Sequence, residues 1–197
     1  MTHIASIGAG MFSDLSVCVD TTENAAAIAN PTQTTLKACF ASEVALGDAV
    51  SATAGEFRRI QNIREFPSMG TPPNVVNVPV YGQATSQQIQ GQADAPSMEI
   101  TVNLIGTDWQ DAANYLGEMV GDGVPRVFRF ALLNSDPASG GYTSDTAGLG
   151  AVQNSQYFWV GKIEAMQVNP QLTDANTATI TITIQSEFFG AFTNDPA

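Results

Sequence analysis

Histidine is nearly absent from this sequence: His3 is the only one in 197 residues. A Ser-His-Asp triad or a Cys-His pair needs an imidazole as its base. His3 instead stands in an opening stretch of Gly, Ala, Ser and Thr. Cysteine is scarce too, with Cys18 and Cys39 alone. Two cysteines are no disulfide framework, and with His3 they lack finger-like spacing. They are read as reduced thiols, and no metal site is expected. Lys and Arg number 7 (Lys37, Arg58, Arg59, Arg64, Arg126, Arg129, Lys162) against 19 Asp and Glu, a formal net charge of −12. None of the seven lies between Arg64 and Arg126 or after Lys162, so no basic patch of the kind that grips phosphates is available. Long apolar runs are missing as well. Nothing approaches the ~18 residues of a membrane span, and Met1-Thr2-His3-Ile4 lacks the basic start and apolar run of a secretory leader. Gly8-Ala9-Gly10 offers two glycines of a dinucleotide fingerprint, but no βαβ unit or acidic partner follows, and there is no P-loop. The expectation is a soluble protein, made in a cytoplasm, that is not an enzyme and has no cofactor.

Charge itself is thin: 13% of residues are charged while 44% are hydrophobic, so the charged share is about half of what is usual. Thr, Ser, Asn and Gln must keep such a surface wet, or other subunits must cover it. The organising stretch is 97–134. Met98, Ile100, Val102 and Leu104 alternate with Glu99, Thr101 and Asn103, the period of a strand with one buried face. Gly106 ends it. Thr107 and Gln110 then read as a capping box. Trp109, Ala112, Ala113, Leu116 and Met119 follow at helical spacing, so a core helix over 109–120 is predicted, carried by Trp109, Ala113, Leu116 and Met119. Asp108 and Asp111 suit its first turn, Gly121-Asp122-Gly123-Val124-Pro125 stops it, and Arg126 to Asn134 resumes a strand.

Around this unit, residues 1–35 read as an N-terminal arm containing one short strand (Phe12, Leu15, Val17, Val19) and a linker. A short helix is expected within 36–46. Glu56–Glu65 and Val75–Tyr81 read as the two sides of a long hairpin whose tip, 66–74, carries Pro67, Gly70, Pro72 and Pro73. Residues 83–96 form a polar connection and 135–156 an outer loop rich in glycine. Tyr157–Val168 and Thr177–Gln185 are strands, the second with Thr177, Thr179, Thr181 and Thr183 on one face and Ala178, Ile180, Ile182 and Ile184 on the other. Phe188, Phe189 and Phe192 lie in a C-terminal tail, 188–197, that needs cover. The fold class is mainly β: an antiparallel β-sandwich or barrel, domain 36–187, with one flanking α-helix. Glu99 and Glu164 on neighbouring strands suit a glycosidase pair only if a cleft holds them. Trp109 and Trp159 could stack on sugars, although their positions favour core packing.

The run Ile63-Arg64-Glu65-Phe66-Pro67-Ser68-Met69-Gly70-Thr71-Pro72, followed by Val76-Asn77-Val78-Pro79-Val80-Tyr81-Gly82 and the turn Gln90-Gly91, resembles the long hairpin of the tail tube proteins of long, non-contractile-tailed bacteriophages. The likeness extends through 98–105, 109–120, 126–133, 157–168 and 177–185, and so covers roughly residues 56–187. It implies a structural virion protein whose hexameric rings stack into a tube, each subunit adding strands to a shared inner β-barrel. The tube would be assembled in the host bacterial cytoplasm, would reside in the virion tail, and would meet tape-measure, terminator and tip proteins. The hairpin loop (Phe66, Pro67, Met69, Gly70, Pro72, Pro73) would reach the next ring, and the terminal arms would make further contacts. An acidic lumen would let DNA pass during ejection without specific binding. Its candidate lining is Glu99, Thr101, Asn103, Thr179, Thr181 and Thr183. Two alternatives share parts of the pattern: a tube of a contractile tail or secretion system, and a carbohydrate-binding or adhesin β-sandwich using Tyr157, Trp159 and the 135–156 loop.

Overall fold

The computed structural model describes residues 13–51, 55–70, 75–82, 85, 87–90, 97–133 and 155–193. The strands are β1 (Asp14–Cys18), β2 (Ser42–Glu43), β3 (Glu56–Ile60), β4 (Ile63–Glu65), β5 (Val75–Val78), β6 (Gln87–Gln90), β7 (Ser97–Asn103), β8 (Arg126–Leu132), β9 (Ser155–Asn169), β10 (Thr177–Ile184) and β11 (Phe189–Thr193). Two helices, α1 (Thr21–Ala29) and α2 (Gln33–Ala38), follow β1. The chain is mainly β, with a sheet ordered β2-β3-β1-β8-β9-β10-β7-β4 and β11 added on β9. Its pairings are antiparallel except the parallel β2–β3 contact, so the sheet is mixed.

One long strand makes this sheet fold on itself. β9 has 15 residues; Ser155–Gly161 pair with β8, while Gly161–Asn169 pair with β10. At the crossover, a Cβ on Gly161 would sit 2.8 Å from the Thr183 carbonyl oxygen, so only glycine permits this approach. Two residues on, the register slips and Glu164 becomes a bulge between Ile163 and Ala165, which bends the strand. The near layer (β1, β3, β8, first half of β9) and the far layer (β7, β10, second half of β9) enclose one core. Leu15, Val17, Ile60, Phe128, Phe130 and Trp159 belong to the same buried cluster as Met98, Ile100, Val102, Ile180, Ile182 and Ile184. The predicted alternation in 97–103 and 177–184 is therefore present, with the aliphatic face inward.

A second core lies on the outer side of the near layer. Cys18, Phe57, Val127, Phe158 and Val160 are covered there by Ala27, Leu36, Cys39 and Phe40, with Phe189 and Phe192 packed alongside. Phe40 lies 5.5 Å from Phe57 and 5.7 Å from Phe158 between ring centroids.

These contacts correct four expectations. The helix over 109–120 does not form. Asn114 takes a left-handed φ of +72°, and the Leu116 N–H reaches back to the Asp108 carbonyl at 3.1 Å. A Cβ on Gly117 would lie 2.3 Å from the Gln110 carbonyl oxygen. The segment is a compact chain of turns ending in a single 3-10 turn, Gly117–Met119. Trp109, Leu116 and Met119 are buried as expected, but Ala113 is exposed. The apolar residues reach the core without the helix because Asn tolerates the left-handed turn and Gly117 tolerates the close packing.

The flanking helices come instead largely from the segment read as an arm; α2 ends in the first residues of 36–46, where a short helix is expected. Within 13–35, β1 is an interior strand between β3 and β8. Asp20 caps α1 by accepting the Thr22 and Glu23 N–H groups, and its second oxygen accepts from Gly55 N–H at 3.0 Å. Thr32 and Thr35 form a capping box on α2. Polar capping chemistry hid helices that short Ala- and Thr-rich sequences do not announce by apolar periodicity. Residues 1–12 of the expected arm lie outside the described residues.

The third correction concerns the long hairpin. Asn62, with a φ of +61°, ends β3, and the chain crosses from the near layer to β4, which pairs with β7. The partner of β5 is β6, not β3 or β4, so a separate two-stranded ribbon replaces the predicted one. Fourth, Phe188–Thr193 is no free tail. β11 pairs with the start of β9, and Phe188 stacks 5.0 Å from Trp159. Residues 194–197 lie outside the described residues, as does the outer loop 135–156 except Ser155 and Gln156, which open β9.

Candidate functional site

The far layer presents one continuous polar face. Thr179, Thr181 and Thr183 of β10 stand opposite Thr101, Glu99 and Ser97 of β7, and Thr177 stands opposite Asn103. The structure therefore brings the six candidate lining residues, Glu99, Thr101, Asn103, Thr179, Thr181 and Thr183, onto two adjacent strands. β9 extends the face, with Gln167 opposite Thr179 and Lys162 opposite Thr183, and Asn169 Nδ2 donates to Thr179 Oγ1 at 3.2 Å. On the other side Glu65 of β4 stands opposite Thr101. Sequence alternation found the two central strands. It missed Gln167, Asn169 and Lys162, because in β9 polar and apolar residues do not alternate.

The face is acidic but sparsely so. Three carboxylates, Glu65, Glu99 and Glu164, stand with one ammonium, Lys162, and β4 adds the guanidinium of Arg64, 3.8 Å from Asp174 in the β9–β10 turn. That ammonium is held by Glu164 at 2.9 Å. The Lys162 hydrogen bond and charge, with a further bond from Thr183, draw the Glu164 carboxyl below its usual range. Lys162 therefore has a neighbouring counter-charge.

Both flanks of this layer are open. β8 stops opposite Gly161; beyond it the Gly121 N–H reaches the Ile163 carbonyl, and among the described residues no strand pairs with the outer edge of Glu164–Asn169. β4 meets β7 at Thr101 and Val102, so among the described residues Ser97–Ile100 also lack a second strand. Leu172, in the turn joining β9 to β10, is fully exposed, and Val168 is half exposed.

The residues expected to stack rings divide. Phe66 lies against the Phe130 ring at 4.8 Å, and with Met69 it packs on the main core. Pro67 is half-buried and Gly70 has open space around its Cα. Pro72 and Pro73 lie outside the described residues. The apolar groups that do project are on the β5–β6 ribbon, where Val76 and Ile89 are cross-strand partners and both exposed, beside exposed Val80 and Tyr81. Aromatic and β-branched residues in 75–82 were legible as strand; their exposure was not.

Neither a protein-family model nor a curated protein matches this sequence.

The rival chemistries find little to use. Trp159 is fully buried and stacks on Phe128 at 5.8 Å, so it offers no sugar platform. Glu99 and Glu164 have β10 between them, Glu99 opposite Thr181 and Thr181 opposite Ala165. Two strand spacings put them roughly 10 Å apart on an open face, not in a cleft. A cavity of about 620 Å³ beside the start of α1 is walled by Val19, Asp20, Glu23 and Val50 among others; of its two carboxylates, Asp20 is already occupied with capping. Among the described residues no group of three or more His, Cys, Asp or Glu is placed to hold a metal ion, and no helix is long and apolar enough to cross a membrane.

A buried ionic cluster centred on Arg129 lies in the near layer. Arg129 is fully buried, its Nη2 donating to Asp14 Oδ2 at 3.3 Å and to Ser16 Oγ at 3.0 Å. Its guanidinium carbon lies 4.7 Å from the ring centres of both Phe40 and Phe57. Burial pushes its pKa down to about 10, against the pull of Asp14, which still leaves it charged at neutral pH. Asp14 also takes Arg59 Nε at 2.6 Å and the Ser16 hydroxyl. These contacts tie β1, β3, β8 and the turn after α2 together and are structural.

Proposed function

We propose that this chain is the subunit of a tail tube of a long, non-contractile-tailed bacteriophage. Six copies close a ring, rings stack, and the β4-β7-β10-β9 layer lines the bore through which DNA leaves. The observation that carries this reading is the far layer: a Thr-, Asn- and Gln-rich face with three carboxylates and two paired cations, Lys162 and Arg64, whose edges at Glu164–Asn169 and Ser97–Ile100 lack a partner strand among the described residues. Two open edges on one short layer are a hazard in a monomer, and they are satisfied if the β9 edge of one copy meets the β7 edge of the next. Repetition around a ring then closes a barrel. A wall of neutral hydroxyls and amides with excess negative charge offers passing phosphates only cations already paired with carboxylates, Lys162 with Glu164 and Arg64 with Asp174. The sequence resemblance, the net charge of −12 and the apolar β5–β6 ribbon, which suits contact with another ring, support the same reading. Residence in a virion tail belongs to the same proposal.

The test is negative-stain electron microscopy of the purified protein over a range of concentrations, with its mass in solution. Hollow tubes or six-fold rings are expected. A monomer at every concentration, with no rings even when seeded with tail-tip complexes, would overturn the proposal.

A further inference from the structure

Cys18 and Cys39 have no part in the tube reading, yet the fold brings them together across 20 intervening residues. Cys18 ends β1 and is paired through its backbone to Phe57. Cys39 caps the C-terminal end of α2. Both are fully buried, both are free thiols, and both belong to the second core. The two thiols are neighbours there, both set against the first turn of α1. Each sulfur is turned toward backbone carbonyls, Cys18 toward Asp20 at 3.6 Å and Cys39 toward Glu23 at 3.4 Å.

What shields this pair is a thin layer. α1 buries Ala27 alone and α2 buries Leu36 alone, while the bonds that tether α1 run through Asn24 to Pro125 O and Val127 N and through Asp20 to Gly55. A unit of two helices of nine and six residues, held down by these bonds and by Phe40 in the turn after α2, opens locally more often than the sheet beneath it. We propose that Cys18 and Cys39 are a disulfide-forming pair, closed by a small-molecule disulfide such as oxidised glutathione when the α1–α2 layer opens.

The chemistry is two exchanges. On opening, Cys39 loses its proton and its thiolate attacks one glutathione sulfur. The glutathione S–S bond breaks, one glutathione leaves as thiolate, and a mixed disulfide stands on Cys39. Cys18, deprotonated in turn, attacks the Cys39 sulfur and expels the second glutathione. The two cysteines lose two electrons and two protons, and both go to the two glutathiones released. In the closed state the reaction is suppressed, because the neighbouring Cys39 thiol and burial hold the Cys18 thiol well above the usual range, and a thiol is a poor nucleophile. The bridge then staples an interior strand to the helical layer.

The test uses the full chain incubated with oxidised glutathione, with and without sub-denaturing urea, then unfolded, alkylated and weighed. The expected product has lost two hydrogens, carries no glutathione, has no alkylated cysteine, and forms faster in urea. Closing a loop of this length predicts a rise in Tm of roughly 6–12 °C without reductant, reversed by dithiothreitol. Cys18→Ser should stop at a single glutathione adduct on Cys39. A lasting adduct on the wild-type chain, interchain dimers, or two free thiols after treatment in urea would each overturn the proposal. Oxidation at a rate indifferent to urea would overturn the opening step. None of these outcomes depends on whether the protein forms tubes.

Discussion

The buried Asp14–Arg129 pair makes an asymmetric prediction. Removing one member of a buried ion pair costs about 3–5 kcal/mol when the other charge is left without a partner. Asp14 is not left so: without Arg129 it keeps Arg59 at 2.6 Å and the Ser16 hydroxyl. Arg129 is, because Asp14 is its one acidic hydrogen-bond partner among the described residues, and its Nε and Nη1 have no hydrogen-bond partner at all. Asp14→Asn should therefore cost about 3–5 kcal/mol. Arg129→Met, which keeps the volume between Phe40 and Phe57 while losing the cation–ring contacts, should cost about 1–2 kcal/mol. The double substitution should cost less than the sum by about 1–3 kcal/mol, since the acid no longer has a stranded base to leave behind. Urea unfolding followed by tryptophan fluorescence measures all three. Equal costs for the two single variants, or strict additivity, would refute the partner accounting.

Three further outcomes are expected. Leu116→Ala empties a buried site in the main core and should cost about 2–5 kcal/mol in the same unfolding assay; a loss below 1 kcal/mol would mean the turn region collapses freely around it. Val76→Asp with Ile89→Asp, on the exposed ribbon, should leave the unfolding midpoint within about 0.5 kcal/mol of wild type while abolishing tubes in electron micrographs, and unchanged tubes would remove the ribbon from ring contact. Burial alone would raise the Asp122 carboxyl, but the Arg126 hydrogen bond and charge and the Val124 N–H hold it below its usual range. With the folded value depressed, the stability Asp122 adds is full above its unfolded pKa and is lost as pH falls through the folded one. Asp122→Asn should therefore flatten the acid side of a Tm-against-pH curve between about pH 5 and pH 2, and an unchanged slope there would contradict the pairing.

The sequence was readable wherever one face of a strand is buried and the other is wet. Met98, Ile100 and Val102 against Glu99, Thr101 and Asn103, and the threonine and isoleucine faces of 177–184, carry their geometry in a period of two. The same alternation named most of the candidate lining. It failed where backbone chemistry overrides periodicity. The stripe Trp109, Leu116 and Met119 has helical spacing, but Asn114 and Gly117 turn the chain back, and three buried side chains reach the core from turns. The interior place of β1 depends on pairing with Phe128–Ala131, over a hundred residues later, which no local pattern reports. Glu164 and Lys162 were invisible as a pair because a bulge, not strand period, sets their relation. The open edges of the far layer could not be read at all, since an edge is defined by which strands fail to meet it.

The placement of β1 also sets a timetable. Leu15 pairs with Phe130 and Val17 with Phe128, so the near layer lacks a neighbour for β1 until β8 has been synthesised. At ordinary translation speeds that interval is roughly 6–20 s, long beside the milliseconds to seconds in which β-rich domains fold. During it the β1–β3 strands, with Leu15, Val17 and Phe57, have neither β8 beside them nor the far layer over them. The excess of carboxylates sets such intermediates against one another in charge, but it leaves these apolar faces uncovered. Its yield in a cell should therefore depend on how slowly it is made and on which chaperones hold the first hundred residues, more than on the stability of the finished fold.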